Sequence, residues 1–356
     1  MSLYTDKLYL EDVNRITSLN LPWSKFQNKS VLLSGATGLI GSFLVDVLMQ
    51  KNTEGLNCKI YALGRSISKA ENRFSRWWGD SHLTFFAYDV NRAFDREELD
   101  TVDYIIHLAS NTHPMQYSTD PIGTISTNIV GLQNMLEFAV KHHSKRFVFA
   151  SSNEVYGENR GDIELFDEDY CGYINSNTLR AGYPESKRCG EALCQAYISQ
   201  KGLDVVIPRF TRSYGPTMQL TDTKAISQFI YKSILGENIV LKSAGTQNYS
   251  YTYMVDAVGG LLYVILCGIS GEAYNIADEG SNITLKDLAL IIAEYSNKKV
   301  VFEIPDKVEA AGYSKATKAL LDGSKLKRLG WNPLYTINDG IPRTIEVLKK
   351  QINDKT

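Results

Sequence analysis

Three short runs hold residues whose types and spacing could do chemistry. In the first, Gly35-Ala36-Thr37-Gly38-Leu39-Ile40-Gly41, three glycines stand between an apolar strand and an amphipathic helix. Glycine allows a tight turn and close backbone approach, and the helix start presents unpaired N–H groups to a pyrophosphate. Placed after the first strand, at the head of a strand–helix–strand unit, this run reads as a dinucleotide-binding turn. It sets Gly35, Thr37, Gly38, Leu39, Ile40 and Gly41 against a nicotinamide cofactor.

The second run is Tyr183-Pro184-Glu185-Ser186-Lys187, with tyrosine and lysine one helical turn apart on the same face. Pro184 suits a first helical position and disfavours helical geometry at Tyr183, which predicts the tyrosine at the helix mouth. There the dipole and the Lys187 ammonium favour phenolate. A phenol titrating near 10 serves as a general base at neutral pH only with such help. Alone, the spacing also fits an ordinary helix start with an exposed Tyr and Lys. The third run, Ser151-Ser152-Asn153-Glu154-Val155-Tyr156-Gly157, follows the fifth strand and emerges where a nicotinamide would lie. Ser152 there can hydrogen-bond a hydroxyl being oxidised and the phenol that takes its proton. Tyr156 reads as structural.

At the end of the second strand an acidic residue would favour NAD; this chain has Leu63-Gly64-Arg65-Ser66. Arg65 could meet a 2′-phosphate, which points to NADP, and equally fits a solvated turn, so the cofactor is NAD or NADP. Asp89 and Val90, after the third strand, are placed beside the adenine.

The elements that must position these runs are regular. Apolar segments at 31–34, 59–63, 84–87, 104–108, 146–150 and 204–207 lack polar alternation and alternate with amphipathic helices at 40–50, 121–141 and 184–201. That pattern predicts a doubly wound parallel α/β sheet of Rossmann type, covered on both faces. From about 215 the rhythm changes to helices at 222–235, 256–268 and 284–296 with short strands at 239–241 and 300–303. The expected division is an N-terminal extension, 1–28, then a dinucleotide-binding domain carrying the catalytic residues, 29–214. A mainly substrate-binding cap, 215–356, follows, with a return to the first domain around 245–275. The extension reads as a helix lying on the domain or at an oligomer contact. Tyr249, Tyr251 and Tyr253 alternate as a cap strand with one buried face would.

Composition sets the outer bounds. The 356 residues are 44% hydrophobic and 22% charged with a formal net charge of -2, as in a soluble globular protein, which gives no reason to expect nucleic acid or an anionic membrane as partner. The five cysteines and five histidines show no metal-ligand spacing, so no metal is expected, and reduced, mostly buried thiols in a cytoplasmic protein are. Neither a membrane span nor a secretory signal is read from the chain.

Taken in order, the runs resemble an extended short-chain dehydrogenase/reductase of the NAD-dependent epimerase/dehydratase family, whose members act on nucleotide-activated sugars. The resemblance spans about 29–350. It is carried by the glycine turn, His107-Leu108-Ala109-Ser110, Asn128, the Ser152 and Tyr183 runs, Arg209, Tyr214-Gly215-Pro216, Asp256 and the segment 321–331. It implies Ser152, Tyr183 and Lys187 as the catalytic set. Leu108, Ala109, Ser110, Asn128, Ser151, Tyr183 and Lys187 would also touch the cofactor, and Asn153, Arg209, Arg212 and Tyr249 the substrate. It further implies a tightly bound, recycled cofactor, a nucleotide-diphosphate sugar as ligand, and a homodimer packed through helices 121–141 and 184–201, where Leu193, Ala196 and Tyr197 lie.

In such chemistry a hydride leaves sugar C4 as the tyrosine takes the hydroxyl proton, and the 4-keto group then acidifies its neighbours. Glu154 leans toward a lyase, a 4,6-dehydratase or decarboxylase, because epimerases of the family carry a small or neutral residue there. Glu154 also fits a local loop hydrogen bond, and Asn153 cannot protonate a leaving hydroxyl as an aspartate can. A 4-epimerase, an NADPH-consuming keto-sugar reductase and a non-catalytic sensor are the rival readings. Where relatives have asparagine, this chain has Arg212, and where they have a diphosphate-binding arginine it has Tyr249. The implied exchange puts Arg212 on the other side of the ligand, supplying the missing charge.

Overall fold

Val31 and Leu33 of the first strand, β1 (Ser30–Ser34), face one layer of helices and Leu32 faces the other, so all five residues are buried. A strand covered on both faces must be apolar throughout, which is why its sequence shows no alternation. The same holds for β2 (Lys59–Gly64), β4 (Tyr104–His107), β5 (Arg146–Phe149) and β7 (Val205–Phe210) in their inner parts, while β3 (Leu83–Ala87), at the sheet edge, buries only Leu83. The computed structural model describes residues 2–95, 99, 101–219, 221–303 and 317–353.

These strands and β11 (Ala273–Ile276) form one parallel sheet in the order β11-β7-β5-β4-β1-β2-β3, with the two-residue β6 (Ser151–Ser152) beside β7. The chain runs outward from β1 to β2 and β3, then crosses back to β4. The strand order therefore reverses between β1 and β4, and their carboxyl ends open a crevice there. Helices α2 (Leu39–Thr53) and α8 (Met254–Cys267) cover one face; α5 (Pro121–Lys141) and α6 (Gly182–Lys201) cover the other. A smaller sheet, β12 (Asn282–Thr284), β10 (Asn248–Tyr253) and β14 (Lys318–Ala319), is joined by β8 (Arg212–Tyr214) along β10. It packs with α7 (Ala225–Ile234), α9 (Leu285–Tyr295) and α10 (Ile337–Asn353). Helix α8 carries the chain from this layer into β11 and is buried from Met254 to Leu266.

Two local expectations change. Helix α6 begins at Gly182, so Tyr183 lies inside its first turn instead of ahead of it. Pro184 still sits where its missing N–H is not needed, and packing of Tyr183 overrides the local preference of the residue before proline. Residues Tyr249 to Tyr253 are all buried, not alternately, because β8, β12 and β14 flank β10 and α10 packs against it.

The N-terminal segment is part of the core. Helix α1 (Lys7–Thr17), capped by Asp6, lies on α2 and α8. Asp46, 1% exposed in α2, accepts hydrogen bonds from Tyr4, Tyr9, Arg73 and Trp77. Asp12 accepts from Tyr253, Tyr335 and Arg343. All five cysteines are free; Cys58 and Cys194 are buried while Cys171 and Cys189 are exposed. No helix among the described residues is long and apolar enough to cross a membrane.

Candidate active site

The glycine run turns at the mouth of the crevice. Gly35 has φ +72°, and a Cβ there would come within 2.8 Å of the Ala109 nitrogen. Only glycine lets the turn after β1 approach the turn after β4 so closely. A Cβ on Gly41 would lie 2.4 Å from the Gly35 carbonyl oxygen, so the third glycine lets α2 seat on the turn. Gly38 caps α2, and the N–H groups of Leu39, Ile40 and Gly41 open the helix without intrahelical partners. Beneath this turn Ser34 Oγ accepts the Ala109 N–H at 3.2 Å and meets His107 Nδ1 at 2.8 Å. Burial, then the Lys187 charge, push His107 down to about 3, so the imidazole is neutral. This cradle fits a dinucleotide pyrophosphate, whose oxygens need backbone donors and room that a Cβ would take.

Around it, Arg65 is exposed at the tip of β2, and its charge, after burial, lowers the pKa of Lys69. Asp89 caps the backbone N–H of Asn91, and buried Val90 packs on Gly131 of α5. Asn128 is 0% exposed; it accepts from Ser110 at 2.7 Å and donates to Ser186 at 2.9 Å. Its side chain braces Ser110 at the crevice.

The structure brings Ser152, Tyr183 and Lys187 to one place. Tyr183, 6% exposed, lies by the Ser152 and Ser110 hydroxyls, which favour its charged form, and stacks on Tyr117, with ring centroids 4.7 Å apart. Lys187 is 3% exposed and donates to the Ala150 carbonyl at 2.8 Å, with Nζ 5.9 Å from the Tyr183 ring centroid. Burial pushes Lys187 down to about 7, opposed by Glu191 and Cys194. Burial and the Glu154 charge push Tyr183 up to about 12 against its bonds to Ser152 and Ser110. This reverses the expectation of a phenolate-favouring helix mouth. In the free chain desolvation outweighs the hydroxyls and Arg180, and the phenol is protonated.

Glu154 follows Ser152 in a short helical turn, Asn153–Tyr156, and Ser152 Oγ caps its N–H at 3.2 Å. Both its oxygens accept from Nη2 of Arg180 at 2.6 Å, and that guanidinium lies 4.8 Å from the Tyr117 ring centroid. Neither Arg180 nor Tyr117 stands out in the sequence; the one signal is that Arg180 precedes Tyr183 by three residues. Asn153 is buried beside them.

Two residues expected at the substrate are placed otherwise. Every nitrogen of Arg209 is engaged in the scaffold: Nε and Nη2 with Glu191, Nη1 with Tyr156 Oη and the Glu168 carbonyl. Ser151, expected at the cofactor, joins the same cluster by donating to Glu191 at 2.5 Å. Arg212 does not oppose Tyr249 across a cleft. It lies on the neighbouring strand with its Cζ 3.5 Å from the Tyr249 ring centroid, and its buried Nη1 has no hydrogen-bond partner among the described residues. Asp256 accepts the N–H groups of Leu334 and Tyr335, tying that segment to α8, and burial pushes it up to about 7.

Known proteins resemble the chain in sequence and in fold. Residues 31–277 match the NAD dependent epimerase/dehydratase family. UDP-glucuronic acid decarboxylase 3 of Arabidopsis thaliana is 31% identical over 93% of this chain and 92% of its own. UDP-glucuronic acid decarboxylase 1 of Danio rerio is 30% identical, covering 92% of this chain and 75% of its own. Among solved structures, a dTDP-glucose 4,6-dehydratase double mutant from Streptomyces venezuelae, with NAD bound, superposes with a TM-score of 0.78. It shares 26% identity, over 91% of this chain and 98% of that one. The UDP-glucuronic acid 4-epimerase of Bacillus cereus has the same fold at a TM-score of 0.78 and 22% identity, over 91% and 99% of the two chains.

Proposed function

The chain belongs to the NAD dependent epimerase/dehydratase family, and on that premise we propose that it is a lyase that oxidises C4 of a nucleotide-diphosphate uronic acid and releases C6 as carbon dioxide. The observation that carries the reading is the joining of Ser152, Tyr183 and Lys187 with a Glu154–Arg180 ion pair at the crevice. The Arabidopsis thaliana and Danio rerio relatives are UDP-glucuronic acid decarboxylases, which favours loss of carbon dioxide over loss of water.

The dinucleotide, NAD or NADP, is held by the glycine turn, Leu108, Ala109 and Ser110, and when bound supplies the hydride acceptor and donor for C4. Tyr183 removes the C4 hydroxyl proton, Ser152 orients that hydroxyl, and Lys187 supplies the positive charge beside the phenol. The 4-ketone stands β to the C6 carboxylate. The C5–C6 bond breaks with its electron pair passing into the C4 enolate, and C5 then takes a proton from the side Glu154 guards. Arg212, seated on Tyr249, supplies the cation for the diphosphate, from the adjacent strand.

Residues 29–214 form the dinucleotide-binding domain and 215–356 mainly the cap. Exposed Ile122, Ile125 and Val130 on α5 support a homodimer through α5 and α6, and five free thiols suit a reducing cytoplasm. The test is incubation with UDP-glucuronic acid, UDP-glucose and dTDP-glucose, with products identified by mass. Carbon dioxide loss from UDP-glucuronic acid is expected. Loss of water from a neutral hexose, or an unchanged mass with a new isomer, would overturn the assignment as a decarboxylating lyase.

A further inference from the structure

Arg180 has more hydrogen-bonding capacity than the protein uses. Its Nη2 serves Glu154, while Nε and Nη1 are buried and have no hydrogen-bond partner among the described residues. A guanidinium carries five N–H donors, so three are left without an acceptor in a desolvated place. Arg209 is different, with a partner on every nitrogen. Buried donors are almost always satisfied, and an unsatisfied set beside a reacting group calls for a ligand that satisfies it. The ring faces around Arg180 fix its plane: Tyr117 lies under the guanidinium and stacks in turn on Tyr183. Through Tyr117 the cation is set close enough to the Tyr183 phenol for its charge to act on it.

We propose that Arg180 recognises the C6 carboxylate of the nucleotide uronic acid, which takes the guanidinium in competition with Glu154. The inference rests on the uronic acid reading above and deepens it. A hydroxymethyl group at C6 offers one neutral oxygen to these donors, whereas a carboxylate offers two charged ones in the geometry of a guanidinium fork. A site built to be satisfied by a charged group rejects an analogue lacking it more strongly than an apolar pocket rejects a size change. In the free chain Glu154 holds the guanidinium in place. Once the substrate carboxylate takes Arg180, Glu154 is released from its ion pair and free to handle the proton at C5. Carbon dioxide is neutral, so the bond to Arg180 ends with the C5–C6 bond, and the pair with Glu154 re-forms.

The test measures binding, not turnover, on the full-length dinucleotide-loaded enzyme in a Tyr183→Phe background, using calorimetry with UDP-glucuronic acid and UDP-glucose. The parent is expected to prefer UDP-glucuronic acid by about 30-fold, the worth of one charge-assisted pair. Adding Arg180→Gln should cut that preference to about threefold or less, and Glu154→Gln should keep or raise it because its competitor for Arg180 is gone. The Glu154→Gln/Arg180→Gln combination removes any unpaired charge left by the single variant. Persistent loss of preference there supports the proposal; return of the preference means that Glu154 merely repelled the ligand, and overturns it. If Arg180→Gln leaves the preference intact, Arg180 is not the anchor while the uronic acid reading stands. If the parent itself prefers UDP-glucose, the uronic acid reading fails and this inference with it.

Discussion

Replacing Lys187 by methionine should flatten the pH dependence of folding while abolishing turnover. Burial holds the Lys187 amine down to about 7, against about 10.4 in an unfolded chain. Because the folded value is the lower one, the unfolded chain binds more protons throughout that window, and stability rises with pH across it. Carrying the charge into the fold at low pH costs at most about 5 kcal/mol, at about 1.36 kcal/mol for each tenfold weakening of proton binding. The share recovered between about pH 7 and about pH 9 is about 2 kcal/mol. Methionine fills similar space beside Phe149, whose ring centroid lies 4.9 Å from Nζ, and cannot titrate. It also leaves the Ala150 carbonyl without the lysine donor, so the absolute stability of the variant mixes two effects and the pH difference isolates one. The assay is urea denaturation of nucleotide-free protein at both pH values, for wild type and variant. Wild type should gain about 2 kcal/mol more than Lys187→Met on going to the higher pH. Asp256, also held near neutrality, is common to both proteins and cancels. Equal gains, or a larger gain in the variant, would refute the assignment of a desolvated lysine at this site.

Arg65→Ala should weaken NADP binding about tenfold and leave NAD binding within about twofold, as loss of one phosphate contact requires; an equal effect on both dinucleotides would remove Arg65 from the ribose site. Arg212→Ala should weaken UDP binding about tenfold or more by removing a charge-assisted contact, and unchanged affinity would sink the diphosphate role. Ile125→Glu, at a side chain 38% exposed on α5 and packed near Gly182, should turn a dimer into a monomer in sedimentation runs; a wild-type monomer would refute the interface.

What the sequence shows well is what depends on local chemistry. The strand at Ser30–Ser34, the turn at Gly35 and the helix Pro121–Lys141 are readable because apolar runs, glycines and amphipathic spacing act over a few residues. Tyr183 and Lys187 are readable as a pair for the same reason. The partners that decide what the site does come from elsewhere in the chain. Arg180 lies 26 residues from Glu154, and Tyr117 reaches Tyr183 from a separate helix, α4 (Pro114–Thr119). No periodicity links such positions. Arg209 shows the opposite hazard: a charged residue in a recognisable run looks like a ligand contact until its four hydrogen bonds to the scaffold are seen.

The two shifted groups at the centre of the site share one cause, and that limits what the empty protein can do. Desolvation penalises whichever form carries charge, so it raises the phenol of Tyr183 and lowers the amine of Lys187 at once. The pair best suited to catalysis, phenolate beside ammonium, is therefore the pair the free chain favours least. Glu154 adds to this by placing a negative charge near Tyr183, and Arg180 subtracts from it. A ligand that brings positive charge beside the phenol, or that relieves it of Glu154, acts on a group already held far from water, where each charge counts for more than at a surface. The phenolate is thus scarce until the site is filled. Tyr183→Phe would remove it in every state, whereas Glu154→Gln should lower the Tyr183 pKa even in the free chain. A phenol titration by ultraviolet absorbance can therefore separate the electrostatic part of Glu154 from its part in handling the C5 proton.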